Sequence, residues 1–134
     1  MLNTSWFLKN LDSTLVAKIY VKQGSLGLTF KGHNGYPDYP AGQLRTSISD
    51  YSNLFVSYLN SENNKFILDK TTTLKITPNP KTSKEGCYTW DLNTINNHIY
   101  YSHNGGDPGV STIIIMDVIE KRAIVIFANS NYDI

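Results

Sequence analysis

The sequence predicts an α+β fold in which helices pack on an antiparallel sheet. Residues 110–116 (VSTIIIM) and 122–128 (RAIVIFA) are dense in β-branched residues, and the five residues between them, 117–121, suit a short antiparallel hairpin. Residues 87–92 (CYTWDL) and 98–102 (HIYYS) are predicted to be two further strands. One amphipathic helix, over residues 46–60, is the clearest helical signal.

The predicted helix has both a start signal and an apolar face. Thr46 or Ser47 is the expected N-cap, and Asp50 in the first turn suits the helix dipole. Apolar residues recur at spacings of three, four and seven, at Ile48, Tyr51, Leu54, Phe55, Tyr58 and Leu59. Residues 66–76 are ambiguous, because three consecutive threonines favour a strand whereas Asp69 suits a helix N-cap.

The first third of the chain has weaker signals. Residues 16–21 are predicted to form a short strand, and residues 24–42 a long ordered surface loop rich in glycine and proline. The last two strands are apolar at consecutive positions, which indicates cover on both faces of the sheet. Each large apolar side chain left in water forfeits about 1.5–3 kcal/mol. We therefore expect additional cover from another chain, a second copy or sequence outside these residues.

Composition narrows the class of protein. The 134 residues suit one domain, and a net charge of +1 gives no electrostatic reason to expect nucleic acid or an acidic membrane surface as partner. We find no signal peptide and no apolar run that reaches the length of a membrane span. The single cysteine, Cys87, allows no intrachain disulfide. The three histidines lack metal-ligand spacing, so no metal or other cofactor is predicted, and the compartment stays open.

Four motifs, in order along nearly the whole chain, carry a resemblance to a known family. Residues 39–50 read YPAGQLRTSISD, residues 103–109 read HNGGDPG, residues 117–130 end in ANS, and residues 1–4 read MLNT. Together they resemble the Y-P-A-G-G-L, H-x-G-G-x-P-G, D-P-x-K…N-S and G-M-x-x-T segments of the serine β-lactamase-like hydrolases. That superfamily contains class C β-lactamases, DD-peptidases of the penicillin-binding-protein type and esterases.

The resemblance implies roles for five residues. His103 would be the basic residue that supports the general base and the substrate, and Gly106 would donate its N–H to the oxyanion hole. Asn104 and Gly105 would contact the substrate, Gly105 by leaving room for it along the strand. Tyr39 belongs to the segment expected near the substrate entrance.

The sequence also departs from the family pattern. No serine is followed three residues later by lysine, so the Ser-x-x-Lys nucleophile is absent. Residues 51–53 match the Tyr-x-Asn motif, but Tyr51 lies on the apolar helix face, and residues 81–83 imitate Lys-Thr-Gly without the glycine. The resemblance implies a helix over residues 68–76. It also implies that residues 1–134 are a single partial domain, a C-terminal half without the N-terminal catalytic helices and the final helix.

Three hypotheses follow. In the first, the chain is the C-terminal part of a serine hydrolase that acts through an acyl-enzyme on a small-molecule, peptide or ester substrate, and it is inactive alone. In the second, it is a non-catalytic binding or assembly module that dimerises or pairs with a separate N-terminal chain. In the third, it is a self-contained α+β domain whose motif matches are accidental. Relatives mostly work outside the cytoplasm, and the sequence does not identify the substrate.

Overall fold

The computed structural model describes residues 2–62, 68–77 and 89–130. The helices and strands in chain order are β1 (Tyr20–Lys22), β2 (Leu28–Phe30), α1 (Ile48–Leu59), α2 (Lys70–Ile76), β3 (Asp91–Ile95), β4 (His98–Asp107), β5 (Val110–Asp117) and β6 (Arg122–Ala128). Three single 3-10 turns lie at Leu8–Asn10, Gly24–Leu26 and Tyr39–Ala41. β1 and β2 form a two-stranded sheet, and the other strands form a sheet in the order β3-β4-β5-β6. The α+β prediction is confirmed.

Both helix predictions are confirmed, and their caps explain where the helices begin. The Ser47 Oγ accepts the Asp50 N–H at 3.1 Å at the start of α1. The Asp69 side chain accepts both the backbone N–H and the hydroxyl of Thr72, at 2.8 and 3.0 Å. That cap, formed by one residue in front of α2, outweighs the preference of the threonine run for a strand.

The β3–β4 hairpin differs from its prediction at both ends. The register runs from Asp91 opposite Ser102 to Ile95 opposite His98. β3 therefore extends past the predicted strand end at residue 92, and the turn is only Asn96 and Asn97, both with positive φ, which is the geometry that matches the twist of a two-residue hairpin. The strand predicted over residues 87–92 begins at Asp91, and residues 87 and 88 lie outside the described residues.

β4 is also longer than predicted. The predicted strand ends at residue 102, but the observed strand continues through the two glycines to Asp107. The turn consists of Pro108 and Gly109, and Gly109 adopts a φ of 87° that favours glycine. The HNGG sequence is therefore extended backbone and not a turn.

The predicted strands in the last third are confirmed as β5 and β6. β5 contributes the fully buried Met116 and the buried Ile114. β6 alternates between exposed and half-buried residues, with Ile124 and Ile126 exposed at 59% and 44%. In the described residues the outer positions of β6 therefore lack the cover that the consecutive apolar pattern predicts.

The predicted long loop contains structure that the sequence did not reveal. β1 and β2 pair antiparallel, with Tyr20 opposite Phe30, Val21 opposite Thr29 and Lys22 opposite Leu28. The strand predicted over residues 16–21 is displaced toward its C-terminal end, since β1 spans residues 20–22. The remainder of the predicted loop, up to Gly42, contains one 3-10 turn at Tyr39–Ala41.

The described residues divide into two compact units. The first comprises residues 2–51, 104–112 and 126–130, and the second comprises the described residues within 52–103 and 113–125. Buried Ile19 lies in the first unit, and buried Phe55, Tyr58, Tyr101 and Met116 lie in the second. No helix in the described part of the chain has the length and apolarity needed to cross a membrane.

Candidate active site

The candidate site is built on β4, from His103 to Asp107. The pairing with β3 ends at Ser102, so these five residues continue past the first residue of β3. His103, Asn104, Gly105 and Gly106 are exposed, and Asp107 is half-buried. Among the described residues no strand pairs with this stretch on the side of β3, and an extended backbone of that kind is a surface on which a second extended chain can lie.

His103 is held by an aromatic cluster. One step beyond the last β3–β4 pair, Trp90 faces His103, and the two rings meet edge-on with their centroids 6.4 Å apart. Trp90 in turn contacts Phe55 and Tyr58 of α1 edge-on, at 6.2 and 6.0 Å. The position of the imidazole is therefore tied to the packing of α1.

Gly105 and Gly106 differ in the space around them. A Cβ on residue 105 would lie 2.6 Å from the Thr112 Oγ1, and that hydroxyl also lies 3.4 Å from the Gly105 carbonyl oxygen. A Cβ on residue 106 would meet nothing within 4 Å. Glycine at 105 is needed for the close approach of Thr112, whereas the space that a side chain of residue 106 would occupy is open.

Tyr36 and Asp107 form a contact that the sequence did not predict. The Tyr36 hydroxyl donates to the Asp107 Oδ1 at 2.6 Å, and the Asn34 side-chain amide donates to the same hydroxyl at 3.3 Å. The hydrogen bond to the carboxylate, followed by burial and the negative charge of Asp107, raises the pKa of Tyr36. This bond fixes the segment before the YPAG motif to the end of β4.

Arg45 links the same segment, at Asn34, to the N-terminal residues. Its guanidinium donates to the backbone carbonyls of Asn34 and Trp6, at 2.9 and 3.1 Å. The half-buried Tyr39 packs its ring against Phe7 and Trp6, with centroids 4.9 and 6.0 Å away. The structure thus brings Tyr39 into contact with the N-terminal segment, and its predicted role at a substrate entrance stays a prediction.

A family model described as Beta-lactamase matches residues 1–134. The chain belongs to the β-lactamase family. The match confirms the resemblance drawn from the four motifs and places the chain among the serine hydrolases of that superfamily. The search of curated proteins returned no match.

The β-lactamase family motifs that the chain only imitates have structural explanations where they are described. The ring of Tyr51, in the Tyr-x-Asn match, packs against Phe127 at 5.6 Å, and burial raises the pKa of its hydroxyl. Tyr51 therefore serves as a packing residue of α1, as its place on the apolar face predicts. The Lys-Thr-Gly imitation at residues 81–83 lies outside the described residues.

No group of three or more histidine, cysteine, aspartate or glutamate side chains in the described part of this β-lactamase family member is arranged to hold a metal ion. The exposed backbone of this part of β4 and the side chains of His103 and Asn104 can form hydrogen bonds with a ligand. Sequence reasoning missed the hydrogen bond between Asp107 and Tyr36. The only available signal was an acidic residue directly after the two glycines.

Proposed function

We propose that this chain supplies one wall of an acyl-transfer site in a serine hydrolase, namely β4 from His103 to Gly106. The reaction would form an acyl-enzyme from an amide or ester and then hydrolyse it. The observation that carries the proposal is the extension of β4 beyond β3, with four exposed residues that match the family's H-x-G-G motif. Family membership over residues 1–134 supports the same reaction class.

The proposed roles follow from this geometry and from the family pattern. The Gly106 N–H is one of two oxyanion donors, and the unobstructed Cβ position of residue 106 leaves room for a substrate to approach this face of the strand. Loss of one such donor costs about 2.7–4 kcal/mol of transition-state stabilisation. The exposed His103 imidazole, steadied by Trp90, supports the general base and the substrate, and Asn104 hydrogen-bonds the substrate.

The nucleophile of the proposed enzyme lies outside these 134 residues, because neither Ser-x-x-Lys nor a usable Tyr-x-Asn occurs in them. The purified chain should therefore turn over neither a chromogenic β-lactam nor a p-nitrophenyl ester. Active-site-titratable hydrolysis by the chain alone would overturn that part of the proposal. The coding sequence upstream of Met1 should carry an in-frame Ser-x-x-Lys followed by Tyr-x-Asn.

The role of His103 is tested in the polypeptide that carries both the nucleophile and this chain. His103→Ala should lower kcat/KM at least about a hundredfold, whereas His103→Lys should keep most of the activity because lysine holds this place in the Lys-Thr-Gly form of the motif. His98→Ala is the matched control, since His98 lies at the other end of the same strand, where β3 pairs with it. Equal losses from both alanine variants would contradict the assignment.

A second candidate function, an assembly module, is favoured by one observation. Ile124 and Ile126 expose 59% and 44% of their surface on β6, a strand at the edge of the sheet order. A module of this kind would cover these side chains with a second copy or a separate N-terminal chain. Light scattering that finds a monomer at all protein concentrations would count against the self-association form.

A further inference from the structure

The β1–β2 hairpin presents an exposed apolar surface. Tyr20 is directly opposite Phe30 and Lys22 is opposite Leu28, so these four side chains share one face. Leu28 and Phe30 are 51% and 52% exposed, and Leu26 at the tip is 78% exposed. We call Leu26, Leu28 and Phe30 the hairpin patch.

The charged residues of the segment that carries the hairpin patch have one sign. Between Asp12 and Asp38 the sequence holds three lysines and no acidic residue: Lys18, Lys22 and Lys31. The Lys18 ammonium lies 5.9 Å from the centre of the Phe30 ring, and Lys22 is the cross-strand partner of Leu28. The balanced charge of the whole chain conceals this local excess of cations.

The hairpin is also fixed at its base. The Tyr20 N–H donates to the backbone carbonyl of Asn129 at 3.0 Å, and the side-chain amide of Asn129 donates to the backbone carbonyl of Lys18 at 2.9 Å. The Lys31 N–H donates to the Ile19 carbonyl at 3.1 Å. The patch therefore belongs to an anchored element, so binding has less backbone to order than it would in a free loop.

We propose that the hairpin patch docks on an anionic lipid surface. Apolar side chains enter the boundary between headgroups and acyl chains, while flanking lysines stay at the level of negative headgroups. Leu26, Leu28 and Phe30 with Lys18, Lys22 and Lys31 supply both parts of this arrangement. The association is peripheral and independent of any catalytic role of β4.

Co-sedimentation with lipid vesicles tests the proposal. The chain should bind vesicles of phosphatidylglycerol and phosphatidylcholine in equal parts, should bind pure phosphatidylcholine at least about tenfold more weakly, and should be released by salt. Leu26→Ser with Leu28→Ser should reduce partitioning at least about tenfold, and each Lys→Gln change about fivefold. Leu74→Ser is the matched control, because Leu74 is 56% exposed on α2 close in sequence to Lys70 and Lys75, and it should leave binding unchanged.

Insertion is distinguished from general attraction to acidic partners by a spectroscopic probe. In Phe30→Trp, the fluorescence of the introduced indole should shift to shorter wavelength when phosphatidylglycerol vesicles are added, and should not shift when polyglutamate is added. Circular dichroism of each variant checks that the fold is retained. The proposal is overturned if the chain fails to sediment with anionic vesicles. It is also overturned if the chain binds polyglutamate as well as it binds vesicles and the leucine variants bind vesicles as strongly as the original chain.

Discussion

Gly105 and Thr112 approach so closely that residue 105 has no room for a Cβ. The position where a Cβ would stand lies 2.6 Å from the Thr112 Oγ1, whereas the neighbouring position 106 has nothing within 4 Å. Thr112 is β-branched, so moving its hydroxyl away requires a change of rotamer. The two glycines of the H-x-G-G motif therefore have different structural reasons for being glycine.

We expect Gly105→Ala to destabilise the chain by about 1 kcal/mol, because Thr112 must leave its rotamer. In a Thr112→Ala background the same change should be neutral or stabilising by about 0.4–1 kcal/mol, since alanine restricts the unfolded chain. A double-mutant cycle by urea unfolding measures the coupling. Gly106→Ala is the control and should fall within about 0.5 kcal/mol of the original stability. Equal effects at both positions would contradict the steric argument.

The Tyr36–Asp107 hydrogen bond should be visible in the titration of the tyrosine. Asp107→Asn should lower the pKa of Tyr36 toward its usual value, because the carboxylate that favours the protonated phenol is gone. Ultraviolet titration, with Tyr36→Phe subtracted to isolate this one of nine tyrosines, measures the change. Asp38→Asn should have a smaller effect, since Asp38 acts on Tyr36 only as a more distant charge.

The raised pKa of Tyr36 also makes the stability of the fold depend on pH. A folded-state pKa above the unfolded value of about 10 means that folding favours the protonated phenol. The contribution is present below that pH and is lost as the pH rises through the folded value. Stability measured across this range should therefore fall more steeply for the original chain than for Tyr36→Phe, and parallel curves would argue against the bond.

Local pattern was enough to predict α1 and the last two strands, whereas α2 was predicted only through the family resemblance, because its threonine run favours a strand. The apolar spacing and Ser47 predict α1, and the consecutive apolar residues of β5 and β6 predict strands, because both signals are contained in short windows. The β1–β2 hairpin was missed for a related reason. Its strands have three residues each, and the intervening glycines are equally typical of a loop.

The candidate site was predicted through motif order rather than through pattern. His103, Gly105 and Gly106 were singled out by the family resemblance, and the length of β4 then showed that they lie on extended backbone. The bond between Tyr36 and Asp107 joins residues 71 positions apart, and no local propensity determines such a pairing.

Removal of the N-cap of α1 should lower the stability of the fold by an amount typical of helix caps. Ser47→Ala should cost about 1 kcal/mol, because the Asp50 N–H loses the side-chain oxygen that accepts it at 3.1 Å. Ser52→Ala, inside the same helix, is the control and should be neutral or slightly stabilising owing to the helix propensity of alanine. Thermal or urea unfolding measures both. A loss of similar size from the control would mean that the cap is not the cause.

Asp50 connects α1 to the N-terminal segment, and it should make the stability of the fold depend on pH in the acidic range. Burial raises the pKa of this carboxyl, but hydrogen bonds from the Asn3 N–H at 2.7 Å and the Thr4 hydroxyl at 2.9 Å outweigh it and hold the pKa below its usual range. A lowered folded-state pKa stabilises the fold above about pH 4 and loses that effect as the pH falls through the folded value. Asp50→Asn should therefore be clearly less stable than the original chain near neutral pH, and the difference should shrink in acid.

Thr4→Val keeps the charge of Asp50 but removes one hydrogen-bond donor, so it should reduce the pH dependence of stability only in part. A stability difference for Asp50→Asn that is constant with pH would contradict the argument.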